Sequence, residues 1–98
     1  MGRQLNIRRL GLDVDKALKE PSILDIAAAI HGCAGVKSSN ITVEEVDQET
    51  VGTRVIIEGD GMDYDEIARA IESSGAVVHN LDELVCGEDL VQYAPRAR

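Results

Sequence analysis

The stretch SILDIAAAI (Ser22–Ile30) returns 41 residues later as DYDEIARAI (Asp63–Ile71). Ile26, Ala27, Ala29 and Ile30 are repeated identically as Ile67, Ala68, Ala70 and Ile71. Ser22 aligns with Asp63, and both side chains accept hydrogen bonds from the free N–H groups that open a helix. Asp25 aligns with Glu66, at the helical position from which a carboxylate reaches back to the cap. Apolar residues recur at i, i+3, i+4 and i+7: Ile23, Ile26, Ala27 and Ile30 in the first copy, Tyr64, Ile67, Ala68 and Ile71 in the second. That period is the buried face of a helix. Each copy is followed by glycine, Gly32 or Gly35 and then Gly75, suited to a left-handed helix stop.

Strand patterns flank both helices. NIRRLGLDV (Asn6–Val14) sets Leu10, Leu12 and Val14 on one face. NITVEEV (Asn40–Val46) alternates Ile41 and Val43 with Thr42 and Glu44, and TRVIIEG (Thr53–Gly59) alternates Val55 and Ile57 with Arg54, Ile56 and Glu58. DQETVG (Asp47–Gly52) between them is a hairpin turn. AVVHNLDELV (Ala76–Val85) is a fourth strand. Its inward face stays open, because Val77, His79 and Leu81 compete with Val78 and a bulge. The order β-α-β-β-α-β predicts a ferredoxin-like α+β sandwich, an antiparallel four-stranded sheet with two helices on one face. The domain is expected over residues 1–87, with 88–98 a C-terminal tail able to dock on a neighbour. The second sheet face then carries Arg9, Asp13, Thr42, Glu44, Arg54, Ile56 and Glu58, too polar for a core and mixed enough in charge for pairing. A small domain with a bare sheet face is expected to self-associate, sheet to sheet or edge to edge.

Composition narrows the function. A chain of 98 residues buries roughly two-thirds of its unfolded surface. With no Phe and no Trp, the core must be aliphatic, and the usual aromatic anchors of organic-ligand pockets are missing. The net charge is −8, and nine carboxylates against one base, Arg54, lie between Glu44 and Glu66. Such a surface repels phosphate backbones and anionic membranes. The amino-terminal stretch MGRQLNIRRLGL has charges where a signal peptide needs an apolar run, so the chain reads as soluble and cytoplasmic. Cys33 and Cys86 stand far apart and read as reduced structural thiols. His31 falls where a cation opposes the dipole of the first helix, and His79 reads as a packed or edge residue.

The familiar uses of this fold each lack a part. RNA binding needs aromatics on the central strands, and there are none. A soft-metal carrier needs a cysteine pair after strand one, where the chain reads DVDKALKEPS. A phosphate cradle would have Lys16 and Lys19 but no glycine-rich turn. The run DGMDYDEIARAI (Asp60–Ile71) fails as an EF-hand, because it lacks the central glycine and ends on Ile71 rather than Glu. A helix cap at Asp63, with Glu66 reaching back, explains the run better. Two carboxylate groups stay open as hard-cation ligands for calcium or magnesium: Glu58, Asp60 and Asp63, and, at the other sheet end, Asp13, Asp15 and Asp47. The solvated-face reading competes with both.

The architecture resembles the regulatory ACT-type use of the fold, in which small molecules sit between subunits. A closer resemblance rests on RRLGLDV, EPS, NITVEEVDQET and IEGDGMDYDEIARAIESSGAVVHNLDELVCG. Together, from about Arg8 to Gly87, these segments resemble the archaeal family called domain of unknown function 211. That resemblance implies an archaeal source, a ferredoxin-like fold and a homo-oligomer, and supplies no activity. The chain departs in the first loop, where a K-P-H-E-P run is expected and KALKEP (Lys16–Pro21) stands, so no role of that histidine carries over. The functional expectation is a non-enzymatic, homo-oligomeric binding or regulatory module with weak divalent-cation binding and an undefined small-molecule or protein partner. The competing class is a small enzyme, or enzyme subunit, whose site a neighbouring subunit completes.

Overall fold

The computed structural model describes residues 5–95. The first residues of the expected domain, 1–4, and the end of the expected tail, 96–98, lie outside the described residues. Six elements follow in order: β1 (Ile7–Ala17), α1 (Ile23–His31), β2 (Val36–Val46), β3 (Thr50–Met62), α2 (Tyr64–Ser73) and β4 (Val77–Cys86). The strands form one antiparallel sheet in the order β2-β3-β1-β4. This is the ferredoxin-like arrangement, with β2 and β4 as its edges.

The repeat sets the two helices. Ser22 caps α1 by accepting from the Asp25 N–H, and the Asp25 carboxylate accepts from the Ser22 N–H in return. Asp63 caps α2, its Oδ1 accepting from Asp65 N at 2.9 Å and Glu66 N at 3.4 Å. Glu66 does not reach back as expected. Its carboxylate instead accepts from Ala34 N at 3.4 Å, beyond the end of α1. The loop that follows α1 offers that acceptor another donor. The helix stops also differ. Gly75 follows α2 with φ +108°, whereas Gly32 closes α1 in a right-handed conformation.

Ile26, Ile30, Ile67 and Ile71 are fully buried against Leu10, Leu12, Val14, Val55 and Ile57. Residues of β1 and β3 that point toward the helices are therefore mostly aliphatic, and the polar ones among them are Thr53 and Lys16. Thr53 donates its hydroxyl to Val14 O at 2.8 Å. Lys16 is 7% exposed and lies on the same face as Val14. Its ammonium donates to Ala17 O and Leu18 O, at 2.8 and 3.1 Å, and so folds the chain over as β1 ends. Burying an ammonium is tolerated only with such partners.

The register of β4 settles the inward face left open by its sequence. Its pairing with β1 slips between Ile7 and Arg9, between Gly11 and Leu12, and between Asp13 and Val14. Each slip resets the side-chain alternation. Val78 thus packs on the core while Val77, His79 and Leu81 are exposed. At the opposite edge β2 and β3 cross closely. Gly35, at φ +82°, accepts from Asp60 N at 2.9 Å, and a Cβ at Gly59 would collide with the Gly35 carbonyl. After β4, Arg8 donates to Gly59 O, Gly87 O and Glu88 O, tying the start of the C-terminal segment to β3. Residues 87–95 form no helix or strand.

Candidate functional site

The sheet face away from the helices is open, and charge organises it. Arg9 stands between Glu58 of β3 and Glu83 of β4. Its Nε and Nη2 both donate to Glu58 Oε2, at 2.7 and 2.6 Å, and Nη1 lies 3.5 Å from Glu83 Oε2. One step along the sheet, Arg54 Nη1 donates to Asp82 Oδ2 at 2.5 Å and lies 3.7 Å from Asp13 Oδ1. Strand pairing explains these partners: Arg9 is opposite Glu58, and Asp13 is opposite Arg54. The hydrogen bond to Glu58 holds the Arg9 guanidinium above its ordinary pKa despite some desolvation, and Asp82 does the same for Arg54. These pairs are half-exposed, so each stabilises by at most about 1 kcal/mol.

Gly11 is the floor of this lattice. A Cβ there would come 2.9 Å from Glu83 Cβ and 3.3 Å from both Arg54 Nη2 and Asp82 Oδ1. The glycine lets the ionised groups lie flat across β1, the usual meaning of glycine inside a strand.

Toward the hairpin the lattice gives way to carboxylates. A shallow depression of about 620 Å³ is lined by Asp13, Asp15, Glu44, Glu45, Gly52, Thr53 and His79. A second, of about 300 Å³, continues it along Asp15, Glu45, Val46, Asp47, Thr50 and Gly52. Gly52 is opposite both Asp15 and Glu45, and its lack of a side chain opens the groove between them. Asp13 has Arg54 as partner, whereas Asp15, Glu44, Glu45 and Asp47 form no ion pair with a described residue. Ionised carboxylates only accept hydrogen bonds, so this groove suits cationic groups. Thr53 brings no free hydroxyl to it, its proton being committed to Val14 O.

The two groups of expected cation ligands fare differently in space. Asp13 and Asp15 share the first depression, and Asp15 and Asp47 share the second. Glu58, Asp60 and Asp63 are dispersed: Glu58 is held by Arg9, and Asp63 is turned into the α2 cap. Among the described residues no three His, Cys, Asp or Glu side chains converge closely enough to hold a metal ion. Sequence reading missed Glu45, Gly52, Asp82 and Glu83 as parts of this face. The D-E pair in β4 was visible, but three slips in register hid where it pointed. Cys33 is buried beside Ala29 O and Glu66 O, and burial, followed by the Glu66 charge, pushes its thiol pKa up. Cys86 is exposed.

The family described as uncharacterised ArCR, domain of unknown function 211, matches residues 8–98. The chain belongs to this family. It is 42% identical over 86 residues to an uncharacterised protein of the archaeon Methanocaldococcus jannaschii, covering 88% of each chain. Membership assigns no reaction to the chain. No described helix is long and apolar enough to cross a membrane.

Proposed function

We propose that this member of the family is a non-enzymatic, self-associating module whose open sheet face presents a carboxylate groove to weakly held calcium or magnesium. The observation that carries the reading is the contrast across that face. Arg9 and Arg54 balance part of the charge at one end, while Asp15, Glu44, Glu45 and Asp47 form no ion pair with a described residue at the other. Such a surface is costly to bring against a copy of itself unless cations lie between. Wide spacing of the carboxylates favours a hydrated ion held by one or two of them from each subunit, not a closed cage. Oxygen ligands select hard cations over zinc.

Self-association has separate support. No described strand pairs with the outer edge of β2 or of β4, and Val43, Val46, Val77, Leu81 and Leu84 on these strands are exposed. Light scattering of the full chain at micromolar concentration tests it. The expected mass is a multiple of 10.6 kDa, and a mass of one chain rejects the proposal.

A further inference from the structure

We infer that the C-terminal segment Leu90–Tyr93 of one copy docks on an apolar patch of a second copy, formed by Leu18, Leu24, Val43 and Val46. This rests on the self-association proposed above and names its contact. Leu90, Val91 and Tyr93 are 46, 70 and 80% exposed. The segment runs back beside β4, sharing a depression with Asp82–Cys86, yet buries none of these side chains there. Three large apolar groups so close in sequence are a donor that no described residue of their own subunit buries.

The acceptor lies at the opposite end of the sheet. Val43 pairs with Thr53 and Val46 with Val51, so both point to the helix side, where they stay 45 and 69% exposed. His31 bonds Ser39 of β2 at 2.8 Å, which turns that side of α1 toward β2. Leu24 is two helical turns earlier on the same side, about 10 Å further along β2, level with Val43. Leu18 follows Ala17, which pairs with Thr50 beside the hairpin. Leu24 and Leu18 are 78 and 47% exposed. The four exposed side chains therefore lie toward the hairpin end of the molecule on its helix side, and we take them as one apolar surface that no described helix or strand covers.

A subunit cannot serve its own patch. The segment leaves the sheet at Cys86, opposite Ile7, whereas Val46 and Val51 lie near Lys16, about 30 Å along the strands. Tyr93 is six residues beyond Gly87, a reach of at most about 21 Å. Charge selects a second copy as the occupant. Asp47 and Glu49 of the hairpin follow Val46 at the edge of the patch, and the donor segment is followed in sequence by Arg96 and Arg98, two bases in a chain with 18 acids. Apolar residues ahead of arginines match an apolar surface rimmed by carboxylates. Each copy then gives one segment and takes one, a heterologous contact that closes a ring or continues as a filament.

Two full-chain variants test this, both changed only at exposed positions: Val91→Ser with Tyr93→Ser, and Leu24→Gln with Val46→Thr. Unchanged circular dichroism shows that each folds. Each is expected to sediment as a single chain at concentrations where the unmodified protein associates. Mixed in equal amounts, they are expected to form a two-chain species, because one intact patch meets one intact segment. A segment variant that keeps the unmodified protein's mass overturns the docking while self-association stands. Two single-chain variants that fail to pair on mixing overturn it as well. Unmodified protein at the mass of one chain overturns both readings.

Discussion

Single residues carry more of this fold than their types announce. Gly59 falls inside β3, where a glycine ordinarily weakens a strand. It is required because the carbonyl of Gly35 passes directly over it. Gly59→Ala is expected to cost about 3 kcal/mol, as overpacking against backbone does. A urea midpoint within experimental error of the unmodified protein would contradict that crossing. No sequence reading finds this need, since the partner glycine is set by the path of another strand. Cys33 carries a pH effect. Its folded-state pKa lies above the ordinary thiol value of 9.0, so the folded chain holds that proton more tightly than the unfolded chain. The resulting stability is fully present below the unfolded thiol's pKa and is lost as pH rises through the folded value. Urea midpoints should therefore fall on moving from pH 8 to strongly alkaline solution, and fall less in Cys33→Ala. Parallel decline in the two proteins would rule the thiol out as the cause.

At the level of elements, the repeat made the helices legible because capping and apolar period are local properties. Asp63 exemplifies this: its carboxylate satisfies two N–H groups of the first turn of α2. Asp63→Ala is expected to cost about 1 kcal/mol, since an orphan donor loses its acceptor and the helix dipole loses an anion. Asp60→Ala, without metal, should cost much less, and equal losses at both positions in denaturation experiments would refute the cap. Two features at this scale escaped the sequence, and both are tertiary. The Glu66 carboxylate went to Ala34, brought near by the packing of α1 on α2. The inward face of β4 followed from slips against β1 that no alternation of its own residues encodes.

For the whole molecule, the candidate site shows the same division. Which residues face away from the helices was readable from alternation in β1 and β3, and Arg9, Asp13, Arg54 and Glu58 do lie together there. How they pair, and which acids are left over, depends on the register of four strands. The leftover acids set the last expectation. Asp15 and Glu45 both lie opposite Gly52, with Glu44 and Asp47 alongside, and Arg54, the base that Glu44 acts on, is already shared with Asp82 and Asp13. Like charges gathered along one groove oppose folding and assembly, and a cation that binds the native groove relieves them. A ligand at ten times its Kd contributes about 1.4 kcal/mol. In a domain of this size that is several degrees in Tm. Calcium should therefore raise Tm by more than sodium chloride of equal ionic strength. Asp15→Asn with Glu45→Gln should raise Tm without added metal and abolish the calcium excess. Equal shifts from the two salts would reduce the effect to screening, which acts on any acidic surface. A response to zinc alone would instead point to His79 on the groove wall, and the hard-cation reading would fall.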